Sequence, residues 1–192
     1  MRTVSIIHEG RQGSSQVTKI GGIHIYMVVD LRGKLISMRK RIITAPAKPI
    51  GSRMENCLDV ESAAIIEMTS EDIDFPIEAA LSGGTRGWRA AEPGTQTIRL
   101  VFDHPQQVKR IGLVFEEKEC SRTQEFVLRW SSDTNSFREI VRQQWNFSSP
   151  DTIREVEEYQ VDLRDLTVLE LTIVPSINGE TARASLMSLR LS

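Results

Sequence analysis

The chain has 192 residues, 40% of them apolar and 26% charged, with a net charge of −2. That balance excludes an intrinsically disordered chain and is enough for one domain with an appendage, burying a core of its own. No apolar run approaches the roughly 20 residues of a membrane helix.

In chain order, the first residues, MRTVSIIHEGRQG, lack the apolar core of roughly 7 to 15 residues that an export signal needs. A cytoplasmic protein without membrane insertion is therefore expected. The two cysteines, Cys57 and Cys120, have no CxxC spacing, which argues against a disulfide framework or a thiolate metal site. Residues 1–50 carry nine Lys and Arg against Glu9 and Asp30, a net +7 that leaves −9 on the remainder. Such a basic arm either reaches for phosphates or docks on an acidic body. Tyr26 is its only aromatic residue, so the base-stacking platforms of a single-strand binder are missing and docking is favoured.

Within this arm, GGIHIYMVVDLRGKLISMRKRII reads as a β-hairpin joined at DLRG, with Ile23, Ile25, Met27 and Val29 on one face by period two. A lone hairpin is marginal in water, so it must pack on the body or on a second copy, and a homo-oligomer through the hairpin is expected. The prolines and glycine of TAPAKPIGSR, residues 44–53, interrupt any regular element. They divide the chain into an extension, 1–50, and a body, 51–192.

The body reads as short strands separated by turn signals. VESAAIIEM is followed by an acidic stretch and a helical turn at PIEAALSGG, started by Pro76 and stopped by Gly83. Then come TQTIRLVF, QVKRIGLVF, TQEFVLRWS, SFREIVRQQW, EVEEYQVDL, TVLELTIV and ASLMSLRL. Ile98, Leu100 and Phe102 alternate with Thr97, Arg99 and Val101, and Leu169, Leu171 and Ile173 share one face. DHPQQ, EEKECSR, SSDTNS, SSPD, RD and PSINGE supply the reversals. About eight strands at this spacing predict an all-β, jelly-roll β-sandwich with an N-terminal β-hairpin extension.

The order TSEDIDFPIEAALSGGTRGWRAAEPGTQTIRLVF, VKRIGLVF, FVLRWSSDTNSFREI and YQVDL…LELTIVPS…ASLMSLRL resembles the galactose-binding-domain-like superfamily, which includes discoidin or factor V/VIII type C domains. There a helical turn and a Trp-containing loop precede an extended strand, and a later strand enters an SxDGxxF turn. The resemblance covers roughly residues 57–192. It implies a non-catalytic sandwich that binds sugars, lipids or proteins through loops at one end, often with a structural calcium. Ser188 stands roughly where calcium-binding members commonly have a glutamate, and SDTNSF lacks the usual glycine. Both departures argue against calcium, so no cofactor is expected, although Asp59 and Glu61 leave that site open.

Enzymatic motifs are missing. Gly83, Gly84 and Gly87 do not spell GxxxxGK[ST], and they precede a strand rather than a helix N-terminus. There is no GxSxG elbow, and His8, His24 and His104 are scattered. The carboxylates of EEKE and REVEE read as solvated faces. The candidate ligand-binding residues are Arg86, Trp88, Arg89, Arg122 and Trp145, arginines for anionic groups and aromatics for apolar ring faces. For Trp88 a second role, plugging the end of the sandwich, is favoured over stacking. Trp130, in line with Phe126 and Leu128, reads as core. The expected ligand is a glycan or a protein, the alternative being a nucleic-acid-associated scaffold that uses the basic arm.

Overall fold

The computed structural model describes residues 57–179 and 181–192, together with the backbone of three earlier strands. The chain divides into two compact units, Met1–Pro49 and Ile50–Ser192.

In the first unit, β1 (Ser15–Ile20), β2 (Ile23–Val29) and β3 (Leu35–Arg41) form an antiparallel sheet in the order β1-β2-β3. The β2–β3 pair, running from Ile23↔Arg41 to Val29↔Leu35, is the expected hairpin. Strand β1, over SQVTKI, extends it and was not foreseen, because only Val17 and Ile20 are apolar there. The side chains of the basic arm, and the expectations that rest on them, lie outside the described residues.

The second unit begins with a correction. VESAAIIEM is not one strand: α1 (Val60–Ala63) is a single helical turn that leads into β4 (Ala64–Met68). The turn is favoured by the Ser62 hydroxyl, which donates to the Asp59 carbonyl, and by Glu61 at its start. The helical turn expected at PIEAALSGG is α2 (Glu78–Leu81), followed by Gly83 at φ +86°.

Strand β5 (Trp88–Pro93) occupies part of the stretch expected to be loop; it pairs with β10 (Arg183–Leu186) through Trp88↔Leu186 and Arg89↔Ser185. Two expected pairs of strands are each continuous. TQTIRLVF and QVKRIGLVF form β6 (Gln96–Glu116), and EVEEYQVDL and TVLELTIV form β9 (Arg154–Val174). They pair with each other from Gln96↔Ile173 to Glu116↔Arg154. The register shifts between Val101 and Arg110, where Pro105 and the Arg164–Asp165 step fall. Bulges absorb there what reads as turns in sequence, since a bulged residue does not need the ladder hydrogen bond that proline cannot make. ASLMSLRL does the opposite and breaks at Met187 into β10 and β11 (Ser188–Leu191), which pair with β5 and β6 respectively.

The bent β6–β9 ribbon builds the sandwich. Its first half carries β4 on one side and β7 (Arg122–Ser131) with β8 (Arg138–Phe147) on the other; its second half carries β11. Phe115, near the far end of β6, meets Phe126 of β7 with ring centroids 4.9 Å apart. The ribbon therefore folds over, and its two halves face each other across one core. Ile98, Leu100, Leu169, Leu171 and Ile173 from the first half and Ile111, Leu113 and Phe115 from the second are all buried in one cluster. This is the jelly-roll architecture expected from the strand pattern, with β4 to β11 as its eight strands.

Two side-chain expectations change. Trp130 is half-buried rather than core, with the Arg138 guanidinium 5.4 Å above its ring. REVEE is not a solvated run: alternation along β9 turns Glu155 and Glu157 inward and leaves Val156 37% exposed. Gln143 donates to Glu157 (2.7 Å), and the Tyr159 hydroxyl donates to Gln143 (2.9 Å). Burial first, and then the charges of Glu157 and Glu155, push the Tyr159 phenol well above its ordinary range.

Candidate functional site

The fold-over determines which loops share an end. Strand β4 ends, β6 begins, β7 begins and β9 ends on one side, and the Phe115–Phe126 contact brings the far end of β6 to the same place. Residues 69–87, the 117–121 connection and the 175–182 connection therefore meet.

The first two of these, with β5 and the β10–β11 break, line a cavity of about 250 Å³ that has Arg86, Trp88 and Arg89 in its wall. Phe75, Trp88, Leu186 and Met187 are its apolar lining; the charged lining is Arg86, Arg89, Lys118, Glu116 and Glu119, with Thr85 and Ser185 beside them. Trp88 is only 1% exposed, so it packs the end of the sandwich as expected; among the described residues its indole N–H has no acceptor. Gly87 makes this packing possible. It has φ +65°, and a Cβ there would lie 2.5 Å from the Leu186 carbonyl oxygen, so only glycine allows β5 to approach β10 this closely.

The charges of the wall are largely paired. Arg89 stacks over Phe75, 5.0 Å from the ring centroid, and both of its terminal nitrogens reach Glu119 at 3.3 Å. Lys118 pairs with Glu116, which also meets Arg154 at 3.5 Å. Asp72 holds the 69–75 segment to β10 through Arg183 (2.9 Å). The Asp74 backbone N–H donates to the Asp72 carboxylate; with the Arg183 charge it holds that carboxyl below its ordinary value, against a smaller opposing effect of burial.

Arg122 has a different place. Its side chain is 1% exposed, pairs with Glu117 at 2.8 Å and donates to the Arg183 carbonyl at 3.0 Å. It lines a second, more polar recess of about 180 Å³ that shares Arg89, Glu119 and Ser185 with the first. Trp145 is half-buried on β8, in register with Gln124, and lines neither recess. Of the five candidates, then, the structure gathers Arg86, Trp88 and Arg89 and places Arg122 next door.

Sequence reasoning missed Phe75, the Lys118–Glu119 turn and Ser185–Met187. EEKE was read as a solvated run, and only the fold-over of β6 brings it to this end. As for calcium, no group of three or more His, Cys, Asp or Glu side chains assembles among the described residues. The Asp133 carboxylate of the SDTNSF turn already accepts from the backbone N–H groups of Ser136 (2.7 Å) and Asn135 (3.0 Å) and from the Ser131 hydroxyl (2.9 Å).

No family model matches the chain, and no curated protein is significantly similar to it. Solved structures do match. CpGH89CBM32-5 from Clostridium perfringens, in complex with GalNAc-β-1,3-galactose, is 18% identical at a TM-score of 0.53 over 71% of this chain and 99% of that one. The family 32 module of C. perfringens NanJ, in complex with galactose, is 12% identical at 0.53 over 70% and 96%. CBM32-3 from a family 31 glycoside hydrolase of C. perfringens is 18% identical at 0.52 over 71% and 94%. The chain thus shares the β-sandwich fold of these solved modules.

Proposed function

We propose that the protein is a non-catalytic binding module that takes a carbohydrate at this end of the sandwich. The observation that carries the reading is the cavity itself: about 250 Å³ of space lined by the part-exposed apolar side chains of Phe75 and Met187 together with charged groups. A pyranose offers a C–H face to the first and hydroxyls to the second, which is how small ligands are usually oriented in apolar clefts with a few convergent polar groups. Beneath Phe75 and Met187, Leu186 and Trp88 are paired across β10 and β5, so the floor of the cavity is formed before a ligand arrives. The sugars bound by the similar modules support the reading.

Titration calorimetry against a panel of mono- and disaccharides tests it. Binding is expected, and it should be lost in Met187→Asp, which puts a charge against the apolar wall. No binding across neutral and acidic sugars would overturn the reading. Nothing among the described residues favours the nucleic-acid alternative, which predicts a steep loss of affinity for oligonucleotides between low and physiological salt.

A further inference from the structure

The charge accounting of the cavity goes one step beyond a generic sugar, and it rests on the carbohydrate reading. Three cations and two carboxylates line the wall. Arg89 is matched by Glu119, and Lys118 by Glu116. Arg86 is exposed and, among the described residues, has no acidic partner. Beneath the same 82–87 loop, the Arg190 guanidinium lies against Gly83 and, among the described residues, donates to the carbonyls of Ala80 and Leu189. Among the described residues it has no carboxylate partner. The body of the chain is acidic by sequence, yet the mouth of the cavity has a surplus cation beside an apolar wall.

We infer that the preferred ligand is an acidic sugar, a uronic-acid residue whose carboxylate is taken by Arg86. The planar guanidinium fork matches a carboxylate with two parallel hydrogen bonds. The C–H face of the ring can then meet Phe75 and Met187, and Arg89 and Glu119 of the same lining are available to its hydroxyls.

The test is calorimetry of the intact protein with galacturonate disaccharide and, separately, with its methyl ester, the same sugar without the charge. We expect the acid to bind about tenfold more tightly than the ester. In Arg86→Gln that ratio should fall to about one, and in Arg86→Lys it should be partly kept. Circular dichroism establishes that each variant folds. Equal affinities for acid and ester, or a preference that survives in Arg86→Gln, would overturn the inference and leave the carbohydrate reading standing. Tighter binding of a sulfated sugar than of the uronate would overturn the carboxylate assignment. If neither acid nor ester binds while other neutral sugars do, only this inference fails; if no sugar binds at all, both fail.

Discussion

Glu170 lies between two guanidinium groups, 2.6 Å from Arg99 Nε and 2.5 Å from Arg129 Nη2, with its own carboxylate buried. The register Arg99↔Glu170↔Arg129 lines up β6, β9 and β7, and Glu67 on β4 and Glu139 on β8 continue the row. Charges of alternating sign thus cross the outer face of five strands, and Phe137 lies 5.9 Å from both arginines.

Removing the central charge leaves two like charges facing each other over a desolvated site. Glu170→Gln should lower unfolding free energy by about 2 kcal/mol, less than a fully buried pair because both arginines are partly solvated. Arg99→Ala, which leaves Arg129 in place, should cost about half as much. Urea midpoints check both, and equal losses would show that Glu170 is not shared.

Gly87 and Gly94 both have positive φ, but they differ in what surrounds them. A Cβ on Gly87 would strike Leu186 and Met187 backbone, whereas nothing lies within 4 Å of Gly94. Gly94→Ala should cost about 1 kcal/mol, from backbone strain alone. Gly87→Ala should cost roughly 3 kcal/mol, because strain and the collision add and β5 is forced off β10, and sugar binding should weaken with it. Similar losses for the two would refute the close-approach argument.

Thr134 stands where the SxDGxxF turn has glycine, and its φ is 70°. A β-branched residue is strained there. Thr134→Gly should therefore raise stability by about 1 kcal/mol, the relieved strain exceeding the extra freedom glycine gives the unfolded chain. A loss of stability on thermal unfolding would mean that the Thr134 hydroxyl, 2.6 Å from the Asp133 carbonyl, outweighs the strain.

The Asp72 carboxyl titrates below the ordinary aspartate value of 3.8, because the Asp74 N–H and Arg183 favour its charged form. A depressed folded-state value means that its contribution is complete above about pH 4 and is lost as pH falls through the folded value. Protection of the 69–75 segment against limited proteolysis should be flat from neutral pH to about 4 and fall below that. Asp72→Asn should lower protection already at neutral pH and remove this local acid step; an unchanged acid profile would refute it.

Much of this was legible in the chain. Alternation at Ile98, Leu100 and Phe102 and at Leu169, Leu171 and Ile173 gave both strands and their buried faces. The sequence could not show that β6 and β9 continue through Pro105 and Arg164–Asp165. A turn and a bulge use the same residue types, and only pairing with a distant strand separates them. The same gap hid half of the candidate site, since Lys118 and Glu119 join Arg86 and Arg89 only once the ribbon bends. Glu155 and Glu157 failed for a related reason: charge argues for exposure until the pleat, and partners such as Gln143, decide the face.

The doubled-over ribbon has a last consequence, for the cost of recognition. The pairs Gln96↔Ile173 and Glu116↔Arg154 mark its two extremities, and both lie at the end that holds the cavity. Glu116 in the cavity wall and the 69–95 segment opposite it are thus tied to a single pair of strands rather than to two layers free to slide. A ligand spanning the two walls does not have to recruit them, and little of its binding energy is spent on ordering the protein. That rigidity has a kinetic counterpart: the frame closes only after residues far apart in the chain find one another, so folding should be slow for a domain of this size.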